Sequence, residues 1–350
     1  MSVGQGSLEG YASYLAIGRE TTFGTGVTTT AEFNFLTAAM KTIKETKTIE
    51  QVETSRTYSK NFRTSKIVEG EIESYAYAEQ PAFQYLLQNA FGGTITTATA
   101  TSETTGGLAF THSYVIGDMG GTYKSLSFNH RKGQSSSAQI FEYSGIRVNE
   151  ANFTAEIDDA LKCSFSLMAK NSTQTSNDVA SALYTTTSCE PLTFVEGRIS
   201  VEAGTLSDIT TTSFWHVQTV EFGIANNLKG DTGSRRIGSD TLDVLPVGIA
   251  GFTLNLTMRF DTTTAYDMML NDTDVAVQLN FEGSTLTGSN QKRGMKFNFP
   301  KVKIMDSGDP EIGGPDEQLT SQVVCMVYRD VSSAGGYAMQ GEVTNLTSSY

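Results

Sequence analysis

Three glutamates at alternating positions form the most distinctive charged pattern in the chain. Glu69, Glu71 and Glu73 lie within the segment IVEGEIESYAYA, residues 67–78. In a β-strand such residues project from one face, so the three carboxylates repel one another unless water surrounds them. An ordinary exposed face and the wall of a wide, water-filled channel both meet this requirement. The pattern alone leaves the two surroundings open.

Basic residues are the second group with a chemical role to assign. Arg235 and Arg236 are adjacent, and other basic clusters occur at residues 130–132 and 292–293. Opposite an acidic patch of another subunit, such residues would steer the stacking of subunits. As solvated loop tips they need no partner, and both interpretations stay open.

A long polar segment, residues 44–66, holds three further candidates for contacts between subunits: Lys44, Glu50 and Arg56. Segments of this length are usually either functional arms or mobile. Because apolar side chains still alternate with the charges, we expect an extended hairpin that reaches a neighbouring subunit.

The residue types that most often catalyse reactions show no catalytic arrangement. The histidines His112, His130 and His216 are scattered, and the nucleophile-elbow, P-loop and H-E-x-x-H motifs are absent. A glycosidase-like pair of carboxylates stays open, with abundance as its only support. The sequence therefore predicts that the protein is not an enzyme.

We expect neither a metal nor a cofactor. The acidic segment 306–317, which contains Gly and Pro, does not fit the ligand spacing of an EF-hand loop, so a turn that contacts solvent or another subunit is the better interpretation. Cys163, Cys189 and Cys325 lack the close spacings of zinc and redox motifs. We expect reduced thiols, packed as small apolar groups, in a protein assembled in a cytoplasm.

Composition indicates the class of protein that must position these residues. Charged residues make up only 18%, and the abundant Thr, Ser, Gly and Asn favour strands and turns. Lys and Arg total 25 against 38 Asp and Glu, a net charge of −13, which argues against a protein that binds nucleic acid tightly. Such a surface still permits DNA to slide past. Residues 1–10 resemble no secretion signal, and the longest apolar stretch, residues 245–252, is too short to cross a membrane.

One unit of strand followed by helix occurs twice. Superimposing Tyr77 on Phe260 aligns an alternating segment and a helical pattern in each half of the chain. The first helix is expected to begin after Glu79 or Gln80, with Pro81 in its first turn, and to end at Gly92 and Gly93. The second is expected to begin after Asp261 or Thr262.

Both halves then finish on an alternating strand, residues 161–169 and 319–328, and a polar segment lies between the halves. We predict a mainly β protein of two tandem antiparallel β-sandwich or barrel domains, each with one short flanking α-helix. The domains are residues 1–172 and 189–350, and residues 173–188 form the linker.

Four segments together resemble tail tube proteins of siphophages, the long-tailed bacteriophages. They are YLAIGRETTFGTGVTTT (14–30), GEIESYAYAEQPAFQYLLQNAFGG (70–93), IANNLKG (224–230) and FPKVKIMDSGDPEIGGPDEQLTSQVVCMVYRD (299–330). The resemblance covers roughly residues 11–330. Each motif is weak alone, whereas their order and spacing are fairly specific.

The resemblance implies a structural protein of the virion, made in the host cytoplasm, whose stacked rings surround a channel. In the family the channel houses the tape measure protein and conducts DNA at ejection. Two tube domains per chain imply a homotrimeric ring with pseudo-sixfold symmetry, with a hexamer as the alternative. If each domain lends four strands to a common inner sheet, the six domains of such a ring give ~24 strands. Glu69, Glu71 and Glu73 become channel candidates; Lys44, Glu50, Arg56, Arg235 and Arg236 become ring-stacking candidates.

Two other functions stay open at this point. A β-rich receptor-binding or adhesin-like phage protein is one, although the sequence shows no heptads or fibre repeats of a stalk. A carbohydrate-active enzyme is the other, supported only by the many carboxylates.

Overall fold

A computed structural model describes residues 10, 13–51, 57–58, 60–100, 109–117, 122, 124–133, 139–180, 189–210, 213–307, 318–331 and 336–350. Within these residues the protein is mainly β, as predicted, with 17 strands and two α-helices. Every strand pair is antiparallel.

The first half contains ten strands and one helix. They are β1 (Tyr14–Glu20), β2 (Ala31–Phe33), β3 (Thr37–Thr48), β4 (Asn61–Tyr75), α1 (Pro81–Phe91), β5 (Thr96–Thr99), β6 (Phe110–Val115), β7 (Ser125–Lys132), β8 (Gln139–Glu156), β9 (Lys162–Ala169) and β10 (Asn171–Thr175). The second half contains the remaining strands and helix. They are β11 (Gly197–Ala203), β12 (Val217–Ala225), β13 (Gly251–Arg259), α2 (Thr264–Leu270), β14 (Val275–Thr285), β15 (Lys292–Asp306), β16 (Thr320–Val327) and β17 (Gln340–Asn345).

An eight-stranded sheet, called the long sheet below, runs through both halves of the chain. Its strands follow the order β3, β4, β9, β8, β12, β13, β16 and β15. Each half contributes four strands, the number assumed for the inner sheet in the sequence analysis. Within this sheet the two halves join where β8 pairs with β12, and Phe153 faces Phe222 across this pair. A second join lies outside the long sheet, where β6 pairs with β17.

A second layer of strands packs on one face of the long sheet. In the first half it contains β2, β1, β7, β8 and β10. Over the second half it contains β11, β14, β15 and β17, and it is extended by β6 and β5 of the first half, because β6 pairs with β17. The strands β8 and β15, with 18 and 15 residues, are long enough to pair in both layers. Each half is therefore a sandwich.

One hydrophobic core fills the space between the layers and is continuous between the halves. The ring of Phe153 stacks on that of Phe222 with centroids 5.0 Å apart, and Phe297 of β15 lies 4.7 Å from Phe222. All three rings are fully buried, and such contacts add to the free energy gained by burial. The boundary near residues 173–188 stays a prediction, although the two halves share this core.

The repeated unit extends to the strand pairings. The pairs β1–β7, β3–β4, β4–β9, β7–β8, β8–β9 and β8–β10 recur in the second half as β11–β14, β12–β13, β13–β16, β14–β15, β15–β16 and β15–β17. The alignment that superimposes Tyr77 on Phe260 is right for the two helices but wrong for the two strands before them. Five residues, 76–80, separate β4 from α1, whereas four, 260–263, separate β13 from α2. A single shift therefore aligns the helices but turns the strand residues to opposite faces.

The two helices differ in how closely they follow the prediction. Gln80 is the N-cap of α1 and Pro81 occupies its first turn, as expected. Gly92 ends α1 in the left-handed conformation, with φ 68°, and its N–H donates to the carbonyl of Gln88. The N-cap of α2 is Thr263, one residue beyond the expected Asp261 or Thr262. The Thr263 side chain does not cap a backbone N–H of the helix. Its hydroxyl donates to the carboxylate of Asp267, one turn into the helix.

The polar segment between the halves is partly ordered. Its first residues form β10, which pairs with β8, because backbone hydrogen bonds do not require apolar side chains. Just beyond, the hydroxyl of Tyr14 donates to Asp178 and accepts from the backbone N–H of Val179. The remainder of the proposed linker, residues 181–188, lies outside the described residues.

The three cysteines are free thiols. Cys163 and Cys325 are buried, and burial raises the pKa of Cys325 to about 12 and the pKa of Cys163 further. Both buried thiols therefore pack as neutral, small apolar groups. Neither helix in the described part of the chain has the length and apolarity to span a membrane.

Candidate functional site

The row of glutamates lies on β4, with all three side chains on the side of the long sheet that faces away from the core. Val68, Ile72 and Ser74 of the same strand are buried, so the glutamates at odd positions point to the opposite side. This side of the long sheet, called the open face below, has no second layer of described strands against it. The alternation in the sequence predicted this placement.

Neighbouring strands provide polar partners for the row. The ammonium of Lys41 on β3 lies 3.0 Å from a carboxylate oxygen of Glu69, and the hydroxyl of Thr37 donates to Glu73 at 3.0 Å. On the other side β9 places Ser164 beside Glu73 and Ser166 beside Glu71. Both members of the Lys41–Glu69 pair are exposed, so the pair contributes little stability. Repulsion within the row is moderated mainly by water.

The open face differs between the halves. Around the row, the first half adds Glu150 and Glu156 on β8. The corresponding strand of the second half, β13, presents the neutral side chains Thr253, Asn255 and Thr257. The row of three glutamates on β4 therefore has no counterpart on β13.

The strands β3 and β4 form the extended hairpin expected for residues 44–66. They pair from Thr37 opposite Glu73 to Thr48 opposite Asn61, and a backbone bond from Ile49 to Lys60 continues the ladder. Lys44 and Glu50, two stacking candidates, are exposed on this hairpin. The third, Arg56, lies outside the described residues. Contact with a neighbouring subunit stays a prediction.

The other two stacking candidates lie in the loop of residues 226–250, which connects β12 to β13. The guanidinium of Arg235 donates to the backbone carbonyls of Lys66 and Asp240, at 3.2 and 2.8 Å, and so fastens this loop to the hairpin. Arg63 of the hairpin forms an ion pair with Asp240. Arg236 has a side chain 71% exposed and lies 3.5 Å from Asp243. A stacking role stays a prediction for both arginines.

Two basic clusters interpreted as loop tips lie instead within strands. His130 and Arg131 are buried on β7. Arg293 is buried at the start of β15, where its guanidinium contacts Glu190 at 2.9 Å and donates to the Glu190 carbonyl. The interpretation as loop tips was wrong because the long stems of Arg and Lys can cross apolar surface while their charges find partners.

A buried asparagine at the junction of the halves was missed by the sequence analysis. The amide of Asn226, just after β12, donates to the carbonyls of Ala90 and Val148 at 2.8 and 3.0 Å. Its backbone N–H donates to the carbonyl of Asn149 at 2.7 Å. Asn226 thus links α1 and β8 of the first half to β12 of the second. The signal available was the segment IANNLKG, which carries two asparagines after an apolar strand.

The long sheet ends in a strand with a free edge. Among the described strands, β3 pairs only with β4, so its other edge presents unpaired backbone groups. An exposed edge of this length is a template on which a strand of another chain can pair. Among the described residues, no group of three or more His, Cys, Asp and Glu is arranged to hold a metal ion.

A mainly β chain with a charged open face and a free sheet edge has the features of a structural protein whose sheets pair with other copies. The family model described as phage tail tube protein matches residues 10–322. The chain therefore belongs to the phage tail tube protein family, and it is a structural component of the virion that assembles with itself into a tube. No curated protein matches the sequence.

Proposed function

We propose that copies of this chain close into rings, that the rings stack into the tail tube, and that the open face of the long sheet lines the channel. The observation that carries the proposal is the long sheet, in which four strands from each half form one continuous surface. Its free β3 edge favours completion by another copy, because closing a sheet removes edges.

The dimensions favour three copies per ring. Three long sheets supply ~24 strands, which at ~4.8 Å spacing give a circumference of ~115 Å and a diameter of ~37 Å before strand tilt. Such a channel is wide enough for a DNA duplex after side chains are subtracted. The ring would be a homotrimer with pseudo-sixfold symmetry; six copies would give a circumference twice as large.

The channel would house the tape measure protein before infection and conduct DNA during ejection. Glu69, Glu71 and Glu73 support this role, because a negative wall does not retain phosphates. DNA would pass without sequence-specific contacts. The chain would act as a structural protein without a catalytic step, and assembly would take place in the host cytoplasm.

Electron microscopy and native mass measurement test the ring. We expect hollow rings or tubes from the purified chain, with three chains per ring. Six chains per ring would overturn the trimer, and solid particles that stay monomeric at high concentration would overturn the tube as a whole.

Labelling of a single cysteine tests which face lines the channel. In assembled tubes of a Cys189→Ser background, Glu71→Cys should react with a small maleimide but not with a maleimide on a carrier wider than the channel, ~37 Å. Thr99→Cys, exposed on β5 of the second layer, is the matched control and should react with both reagents. Equal reaction of Glu71→Cys with both would place the glutamate row on the outside of the tube.

A further inference from the structure

The loop of residues 226–250 covers part of β8 and β9 near the junction of the halves, around Arg147, Asn149 and Met168. The side chain of Asn149 accepts from the backbone N–H of Leu228 at 2.9 Å, and Arg147 donates to the carbonyl of Leu245. Gly230 lies so close to Met168 of β9 that an added Cβ would meet the methionine Cε at 2.4 Å. This surface of the first half is therefore closed by a loop of the second half.

The pseudo-repeat identifies the corresponding surface of the second half. Met168 is the seventh residue of β9, and Met326 is the seventh residue of β16. The pair β8–β9 has a bulge that skips Asn149, and the pair β15–β16 has one that skips Met305. Met326 and Met305 thus occupy the places of Met168 and Asn149.

In the second half this surface is apolar and uncovered within the described residues. Met305 is 56% exposed and Met326 is 48% exposed. Val324 lies on the exposed side of β16 with Met326. Tyr328 follows directly after β16, and its hydroxyl lies 3.1 Å from the sulfur of Met326. Exposed apolar side chains that lie side by side offer a surface on which apolar residues of another protein can pack. These residues are called the methionine patch: Met305, Val324, Met326 and Tyr328.

The same correspondence indicates which segment covers the patch. The covering loop of the first half follows β12, and the strand equivalent to β12 is β3. The segment that follows β3 is the end of the β3–β4 hairpin, on which Tyr58 is 69% exposed and Phe62 is 50% exposed. Because β3 and β15 lie at opposite ends of the long sheet, a chain cannot cover its own patch in this way.

We propose that the methionine patch of each copy binds the end of the β3–β4 hairpin of the next copy in the ring, with Phe62 and Tyr58 packed on Met326 and Met305. The proposal rests on the proposed ring. Thioether side chains adapt to aromatic partners, and sulfur–aromatic contacts add to the area buried. The contact between copies would then repeat the contact that the loop of residues 226–250 makes within each chain.

Cross-linking tests the contact directly. In a Cys189→Ser background, chains carrying Phe62→Cys are mixed with chains carrying Met326→Cys, assembled and oxidised. We expect covalent dimers on a non-reducing gel. Ile237→Cys, fully exposed in the loop of residues 226–250, replaces Met326→Cys in the control mixture, which should give none.

Assembly provides the second readout. Met326→Glu should raise the protein concentration at which tubes form by about tenfold or more, because moving a carboxylate out of water against aromatic rings is costly. Lys303, opposite Met326 on β15, already pairs with Asp272 and Asp274. Phe62→Lys in the same chain should recover part of the loss. If the unsubstituted chain forms tubes but shows neither cross-link nor sensitivity to Met326→Glu, this contact is wrong and the tube stands. If the unsubstituted chain forms no rings or tubes, the proposed function itself fails.

Discussion

Side chains that bond across the junction of the halves contribute to the stability of the junction. Asn226 donates to two buried carbonyls, those of Ala90 and Val148, and is itself only 6% exposed. The side chain of Asn89 on α1 accepts from the backbone N–H of Val148 at 2.8 Å. Both backbone groups of Val148 on β8 are therefore bonded, one to Asn89 and one to Asn226. The junction is therefore polar at its edge and aromatic at its centre.

Replacing Asn226 should destabilise the whole chain. Asn226→Ala would leave two buried carbonyls without donors, and we expect a loss of about 2–4 kcal/mol in the free energy of unfolding. Urea unfolding followed by circular dichroism measures it. Asn227→Gly is the matched control, because Asn227 is exposed and left-handed, with φ 49°, a conformation that glycine adopts freely. A loss below about 0.5 kcal/mol for Asn226→Ala would contradict the role of the amide.

A buried histidine makes stability depend on pH. His130 is 3% exposed on β7, and burial, with a smaller effect of Lys132, lowers its pKa from 6.5 to about 4. As pH falls from 6.5 towards 4, the unfolded chain takes up the proton first, so the folded state loses stability that it has in full above pH 6.5. The loss is about 3 kcal/mol at the lower end.

Comparing variants isolates this histidine. His130→Gln should show a smaller decrease in melting temperature between pH 6.5 and 4 than the unsubstituted chain. His216→Gln, at an exposed position, should keep the original decrease. Equal slopes for all three proteins would show that other groups cause the acid sensitivity.

At the scale of the elements, the sequence predicted the strands and helices whose own residues show a clear strand or helix period. The alternation of residues 67–78 and the helical spacing after Pro81 reproduce β4 and α1 closely. The register between strands could not be predicted, because pairing partners such as Glu71 and Ser166 are distant in sequence. The short polar β10 was missed since its backbone, and not an apolar face, holds it in the sheet. The row of glutamates was found from the sequence, whereas its partners Lys41 and Thr37 were not.

A glycine in β4 permits the close approach of β3. A Cβ on Gly70 would lie 2.5 Å from the carbonyl oxygen of Ala39, so Gly70→Ala should force the hairpin strands apart and cost about 1–3 kcal/mol. Chemical unfolding and amide exchange of β3 measure the two effects. Gly251→Ala on the equivalent strand β13 is the control, because its Cβ would meet only ordinary contacts, at 3.8 Å or more. Equal stability of the two variants would argue against the close approach.

At the scale of the molecule, two sandwiches share one sheet and one core. The pairing of β8 with β12 and the contact between Phe153 and Phe222 leave neither half with a complete surface of its own. Such continuity was beyond the sequence analysis, which treated the halves as tandem domains. Nothing in the local pattern of β8 shows that its last residues pair with the second half.

We therefore expect the chain to unfold as one unit. Calorimetry of the unassembled protein should show a single transition, because breaking the β8–β12 join would expose the aromatic contacts of both halves. A fragment of residues 1–188, which lacks β12, should aggregate through the uncovered β8 edge. Two separated transitions, or a monomeric and stable fragment, would show that the halves fold independently.

The β8–β12 pair also changes the arithmetic of assembly. This joint forms while a single chain folds, so its yield is independent of how many copies the cell contains. In a ring of three copies every second joint would be tethered in advance, and only three joints between separate chains, not six, would have to form to close the circle. Ring closure would therefore tolerate a scarcity of subunits that would leave a ring of six separate domains incomplete.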